Sequence, residues 1–193
     1  MVGAAWDVGL DMRALAIRRK AAYSRRSPAW QIGNVKKPAK ALVRGHDHSH
    51  CIDDAVAAAE RLCAQRGVRF TPLRRRVLEL VWSSHKPVGA YALLDALRSE
   101  DLGSAPPTVY RALDFLIENG LIHRIERMNA FVGCSHPGEQ HRGFFLICGE
   151  CGNAEELESD SVAQSIASSA SRRGFAARDM TLEVTGTCAD CRK

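Results

Sequence analysis

Two C-x-x-C pairs near the end of the chain constrain its fold most strongly. They are Cys148/Cys151 and Cys188/Cys191, which account for four of the seven cysteines. A C-x-x-C turn brings two sulfur atoms to one metal ion, and a second such turn completes the tetrahedral four-cysteine shell of structural zinc. The 36 residues between the pairs exceed the usual ribbon spacing, but a strand, a helix and a second strand fit inside them. The competing interpretation is a thioredoxin-like redox pair, although that motif needs only one pair in a βαβ setting.

The composition predicts a soluble, cytoplasmic protein, because the 193 residues contain no secretory or membrane-spanning apolar run. Residues 1–45 contain ten Lys/Arg and two Asp, a net charge of +8. Because the whole chain has a net charge of +5, residues 46–193 have a net charge of −3. We expect residues 1–45 to form a flexible basic arm. The excess basic charge therefore does not indicate that the folded part binds nucleic acid. Residues 46–50 (HDHSH) form a short metal-scavenging tract whose role stays open.

Residues 105–126 have the pattern of a DNA-recognition helix followed by a wing. Pro106 and Pro107 suit a first helical turn, and Asn119-Gly120 supply a left-handed stop. Residues 121–126 then resume with the period of two that is typical of a strand. The helix has an apolar stripe of Val109, Leu113, Leu116 and Ile117, and an N-terminal polar set of Thr108, Tyr110 and Arg111. A helix entering the major groove presents such N-terminal side chains to base edges.

The preceding residues supply the helices that accompany a recognition helix. Apolar periodicity predicts helices over residues 52–66, from Pro72 with Thr71 as its cap, and over residues 90–98. No acidic residue lies between Arg61 and Arg76, so the arginines there, Arg69 and Arg74 among them, are placed to neutralise phosphates. A second strand over residues 130–134 completes a hairpin. We therefore assign residues 46–135 to a winged-helix DNA-binding domain.

The remaining chain predicts a smaller α+β module. Residues 136–143 are polar and serve as a hinge. In residues 144–193 we expect strands over 144–147, 153–158 and 175–184, and a helix over 160–173 with Val162, Ile166 and Ala170 apolar at four-residue spacing. A module of this size needs a metal or a partner to be stable.

A second candidate metal set is dispersed over these segments. His123 lies on the first wing strand, Cys134 at the end of the second, His141 in the hinge and Glu156 after the first C-x-x-C pair. Two imidazoles, one thiolate and one carboxylate make an acceptable tetrahedral zinc shell, and this one would fasten one domain to the other. His136 is the substitute if one of these ligands is wrongly assigned.

The sequence resembles the ferric uptake regulator family, in particular its zinc uptake regulator branch. The matching pieces are RFTPLR (69–74), AYALLDALR (90–98), PPTVYRALDFLIENGLIH (106–123), FVGC (131–134) and the two C-x-x-C pairs. The resemblance implies an α+β fold class, with an N-terminal winged-helix DNA-binding domain and a C-terminal α/β dimerisation domain that carries the four-cysteine zinc site. It also implies structural zinc on the four paired cysteines and regulatory zinc on His123, Cys134, His141 and Glu156, two ions per subunit.

The same resemblance implies a function without an enzymatic step: a homodimeric, zinc-responsive repressor of zinc uptake genes that binds double-stranded operator DNA. Tyr91 and Arg111 match base-contacting positions, and Asp95 and Arg98 match a pair that joins two adjacent dimers on one operator. An iron or peroxide sensor of the same family is the first alternative, and a C-x-x-C zinc-ribbon redox protein is the second. A thiolate in the sensory set favours zinc over iron or manganese.

Overall fold

A computed structural model describes residues 49–102, 105–139 and 143–193 of the chain. The predicted arm of residues 1–45 lies outside the described residues, and so do residues 46–48 of the histidine tract and the proposed ligand His141. The described residues all fall within one compact unit, Lys37–Lys193.

Four helices build the first half of the described chain, and two of them begin at a proline. The Thr71 hydroxyl accepts a hydrogen bond from the Arg74 N–H, as expected of the cap of the second helix. The first helix begins at Ser49, three residues before the predicted start at residue 52, so Asp53 and Asp54 lie beyond its first turn. The helices are α1 (Ser49–Arg66), α2 (Pro72–Trp82), α3 (Ala90–Ser99) and α4 (Pro106–Glu118).

The apolar faces of these helices form one core. Leu78, Leu97 and Leu116 are fully buried at its centre. Ile117, which we assigned to the buried stripe of α4, is 37% exposed, whereas Ala112 and Phe115 are buried. The face of α4 that packs on α2 is thus rotated slightly from the predicted one, and the polar N-terminal side chains stay outside.

The wing is a three-stranded antiparallel sheet in the order β1-β3-β2. Its strands are β1 (Val88–Gly89), β2 (Ile122–Ile125) and β3 (Ala130–Gly133), and a 3-10 turn at Glu126–Met128 joins the last two. The two-residue β1 was not predicted, because it is too short to show a period. The expected alternation is also absent: Leu121 and Ile122 are both buried, since the chain enters β2 directly from the helical core.

The second half is a mixed sheet in the order β5-β4-β6, crossed by one helix. The strands are β4 (Gly143–Cys148), β5 (Ala154–Glu156) and β6 (Thr181–Gly186), and α5 (Asp160–Ser171) connects β5 to β6. β4 runs antiparallel to β5 and parallel to β6. Gly143, expected in the hinge, already belongs to β4. In α5 the buried residue is Ala163, whereas Ile166 of the predicted stripe is 39% exposed.

The two sheets meet through a small apolar cluster. Ile125 and Val132 of the wing pack with Phe145, Ile147 and Ala154 of the second sheet. The predicted α+β class is confirmed, and the boundary between the two domains stays a prediction. Among the described residues, none of the helices combines the length and the hydrophobicity needed to cross a lipid bilayer.

Candidate metal centres and nucleic-acid interface

The four paired cysteines converge at one end of the second sheet. Cys148 ends β4 and Cys188 follows β6, and these strands are parallel neighbours that pair Cys148 with Gly186. The long sequence spacing is therefore spanned by one strand-helix-strand crossover. The four sulfur atoms, of Cys148, Cys151, Cys188 and Cys191, lie within 4.8 Å of one another.

The surroundings of this cluster favour the thiolate, the form that binds metal, at Cys148 but not at Cys191. Hydrogen bonds from the backbone at Cys151 and Cys188 lower the pKa of Cys148 to about 6. Hydrogen bonding to the side chain of Cys188 raises the pKa of Cys191 to about 12, with burial adding to the rise. Four clustered sulfurs cannot all ionise unless a cation offsets their repulsion. The donor set therefore fits structural zinc.

The second cluster joins the wing to the second sheet. His123 on β2, Cys134 after β3 and Glu156 at the end of β5 bring their ligand atoms within 4.8 Å of one another. The His123 Nε2 atom is 3.0 Å from Glu156 Oε1, and the Ser135 N–H donates to Glu156 Oε2 at 3.1 Å. The His123 ring also meets the Phe145 ring edge-on at 5.3 Å. One nitrogen donor from β2, one sulfur donor from the residue after β3 and one oxygen donor from β5 are thus brought together.

Charge in this cluster is costly because it is buried. The Glu156 side chain is 3% exposed and that of His123 is 18% exposed. Burial alone would lower the pKa of His123, but hydrogen bonds with Cys134 and Glu156, and their negative charge, outweigh it and raise the pKa to about 9. The trio thus attracts positive charge, and this donor set fits zinc.

The fourth proposed ligand and its substitute do not complete this cluster in the described residues. His141 lies outside them, so its role stays a prediction. His136 instead pairs with Glu158, with 2.5 Å between Nδ1 and Oε1, and does not belong to the cluster.

The proposed DNA-contacting side chains are mostly accessible. Thr108, Tyr110 and Arg111 are exposed in the first two turns of α4, and Arg69 is exposed before α2. Tyr91 on α3 is 76% exposed. The exposed side chains of Asp95 and Arg98 form an ion pair on α3, with 3.7 Å between Oδ1 of Asp95 and Nη1 of Arg98. Their contact with another dimer stays a prediction.

The arginine cluster of α2 is largely paired within the protein. Arg75 forms an ion pair with Glu60, and Arg76 forms one with Glu79 and, at 2.7 Å, one with Glu100. Glu60 lies on α1, Glu79 lies farther along α2 and Glu100 directly follows α3. The lack of acidic residues between Arg61 and Arg76 in the sequence therefore did not reveal that Arg75 and Arg76 are paired within the protein.

Arg74 also has an internal role. Its guanidinium carbon lies 3.5 Å from the centre of the Phe115 ring, a cation–π contact to the middle of α4. The same guanidinium donates a hydrogen bond to the Arg69 carbonyl. No local pattern in the sequence predicts this contact, which fixes α4 against α2.

A helix-turn-helix with a wing, tied to an α/β half by candidate metal ligands, defines the class of metal-binding winged-helix proteins. The model of the ferric uptake regulator family matches residues 65–185. The chain belongs to the ferric uptake regulator family.

Several relatives share most of the chain. The zinc uptake regulation protein of Escherichia coli is 42% identical over 140 residues, which cover 72% of this chain and 81% of the relative. A solved zinc uptake regulator in complex with zinc and DNA is 40% identical, with a TM-score of 0.69, over 73% of this chain and 95% of that one. The crystal structure of holo XcZur is 49% identical, with a TM-score of 0.67, over 72% and 98%.

Proposed function

We propose that this protein is a zinc-responsive, DNA-binding transcriptional repressor of zinc uptake genes that acts as a homodimer and without an enzymatic step. The observation that carries the proposal is the His123, Cys134 and Glu156 cluster, whose donors come from the wing and from the second sheet. Relatives at 42% and 49% identity are zinc uptake regulators. One of the solved relatives is bound to both zinc and DNA.

The cysteine cluster serves as the structural centre of a dimerising half, residues 144–193. Its four sulfurs close the crossover between β4 and β6, so they stabilise a sheet with a small core of its own. The accessible apolar side chains Leu146, Ile166 and Val184 supply the surface that a second copy would cover.

The mixed cluster serves as the regulatory centre, with His141 as its fourth ligand. Zinc bound there supplies a cross-link between the winged half, residues 46–135, and the dimerising half across the hinge, residues 136–143. His123 and Glu156 provide the two ends of that link, and Cys134 adds the soft donor that favours zinc over iron and manganese. In the closed arrangement the winged half is held against the dimerising half. Zinc shifts the protein toward this arrangement only to the extent that it binds the closed form more tightly than the open form.

The closed arrangement matters because a dimer must address both halves of an operator together. Two recognition helices need a separation of about 34 Å along the duplex, and a free hinge spreads them over unproductive geometries. In this proposal Arg111 and Tyr91 read bases. Arg69, Thr108 and Tyr110 contact the duplex, Arg74 positions α4 as well, and Asp95 and Arg98 join neighbouring dimers if two occupy one operator.

Operator binding measured against buffered free zinc, with iron and manganese as controls, tests the proposal. We expect tight binding only when zinc fills the second of two sites per subunit in this cytoplasmic protein. Iron-selective binding would instead assign the chain to an iron or peroxide sensor. Rapid alkylation of Cys148 and Cys151 in the native protein would favour the redox alternative, because catalytic thiols must be accessible.

A further inference from the structure

The face of the second sheet that meets the wing consists of two rows of side chains. Residues paired across neighbouring strands point to the same face of a sheet. Phe145 pairs with Glu156 on one side and with Glu183 on the other, so Glu156, Phe145 and Glu183 form one row. Ile147 pairs in the same way with Ala154 and Thr185, which form the second row.

Each end of the first row meets a different part of the wing. At one end Glu156 contacts His123 within the regulatory cluster. In the middle Phe145, 2% exposed, packs with Ile125 and Val132. The far end, Glu183, reaches the turn between β2 and β3, so the row holds the wing at both its base and its tip.

The contacts of Glu183 are specific to backbone groups at the tip. Its Oε1 atom accepts a hydrogen bond from the Glu126 N–H at 2.6 Å, and its Oε2 accepts one from the Arg127 N–H at 3.3 Å. In the second row, the Arg127 guanidinium donates a hydrogen bond to the Thr185 hydroxyl. The carboxylate thereby satisfies two amides at the start of the 3-10 turn, which have no partner within that turn.

We propose that Glu183 is a positioning residue: with the N–H groups of Glu126 and Arg127 it forms a metal-independent latch that holds the wing on the second sheet and sets the zinc level at which the protein responds. The inference rests on the proposed function, because it concerns the closing that zinc completes. None of the latch atoms belongs to a metal ligand, so the latch acts whether or not the regulatory site is filled.

The direction of the effect follows from linkage. A ligand that binds one conformation has an apparent dissociation constant equal to its intrinsic value divided by the fraction of molecules in that conformation. The latch raises the closed fraction before zinc binds. Loss of the latch therefore raises the zinc concentration needed for half-maximal operator binding by about tenfold, as expected for the loss of two solvent-exposed hydrogen bonds.

The test compares Glu183→Ala and Glu183→Gln with Asp179→Ala, which removes an exposed carboxylate from the same half of the chain. Operator binding is titrated with buffered zinc in the full-length dimer that retains its structural zinc. We expect the midpoint to rise by about tenfold for Glu183→Ala and by less for Glu183→Gln, whose amide oxygen still accepts a hydrogen bond. Asp179→Ala should match the wild type.

A second measurement needs neither DNA nor regulatory zinc. Amide hydrogen exchange at Glu126 and Arg127, followed by NMR with the regulatory site empty, should accelerate by about tenfold in Glu183→Ala and stay unchanged in Asp179→Ala. Unaltered exchange, or a zinc midpoint equal to that of the wild type, would overturn the latch. If wild-type operator binding ignored zinc, the proposed function would be wrong, and the exchange experiment would still decide the latch.

Discussion

The two candidate metal centres differ in what their ligands connect. The cysteine cluster draws all four donors from residues 148–191, and three of its four cysteines are partly accessible. The mixed cluster draws its donors from the wing and from the second sheet, and Cys134 and Glu156 are buried. A metal centre confined to one half of the protein can stabilise the fold of that half. A metal centre shared between the two halves can instead change how the halves are held together when the metal binds. Ligand placement, more than ligand chemistry, is the basis on which we propose a structural role for the cysteine cluster and a regulatory role for the mixed cluster.

The largest effect is expected from Cys148→Ser. Structural zinc contributes about 10–16 kcal/mol of apparent binding energy in small metal-dependent folds, which is comparable to the whole stability of a domain. We therefore expect residues 144–193 to lose their fold and the dimer to dissociate, as measured by circular dichroism and sedimentation. A folded dimer with one zinc fewer would show that the cysteine cluster does not build its half.

A different outcome is expected from Cys134→Ser. Because loss of an outer partner of a metal ligand already costs about 10–100-fold in affinity, loss of a direct ligand should cost more than about 100-fold at the regulatory site. The dimer and its structural zinc should persist, while operator binding no longer follows zinc. Zinc content, sedimentation and operator titration measure the three properties. Cys51→Ser, the same change outside both clusters, is the matched control, and identical behaviour of Cys134→Ser and Cys148→Ser would refute the division of roles.

Gly133→Ala tests how far the packing beside Cys134 supports the proposed regulatory site. A Cβ atom at Gly133 would lie 2.1 Å from Cε2 of Trp82, so the indole ring or the strand before Cys134 must shift. We expect the free energy of unfolding to fall by about 1–3 kcal/mol and regulatory zinc affinity to fall with it, while the cysteine cluster is unaffected.

Gly89→Ala provides the control, because a Cβ atom there has open space and the backbone φ of −76° suits alanine. Its stability should change by no more than about 1 kcal/mol. Chemical denaturation of both variants measures the difference. Equal stability of the two would mean that the contact between Gly133 and Trp82 is loose.

Local signals in the sequence accounted for much of the fold. The Thr71 cap, the Pro106 start and the left-handed Gly120 each act within a few residues, so they could be recognised without a structure. The C-x-x-C pairs were equally local. Such features depend on backbone geometry that the nearby residue types dictate.

Contacts between distant segments were not predictable in this way. Glu60 and Glu100 neutralise Arg75 and Arg76 from other elements, and the Glu183 latch depends on the register of β6 against β4. The partial exposure of Ile166 has the same origin, since its expected cover does not come from the described residues of its own chain. Periodicity tells which side of an element is apolar but not what lies against it.

The smallest effect is expected at Cys63, which belongs to neither metal centre. This thiol is 2% exposed on α1, and burial raises its pKa against the opposing charges of Arg66 and Arg74. Since alkylation requires an accessible thiolate, iodoacetamide should leave Cys63 unmodified in the native protein, whether or not the regulatory site holds zinc. Mass spectrometry of alkylated peptides checks this, with the urea-unfolded chain as the positive control. If removal of the regulatory zinc made Cys63 reactive, the structural change would have to extend into the core of the winged half. The effect of that metal would then not be confined to the junction between the two halves.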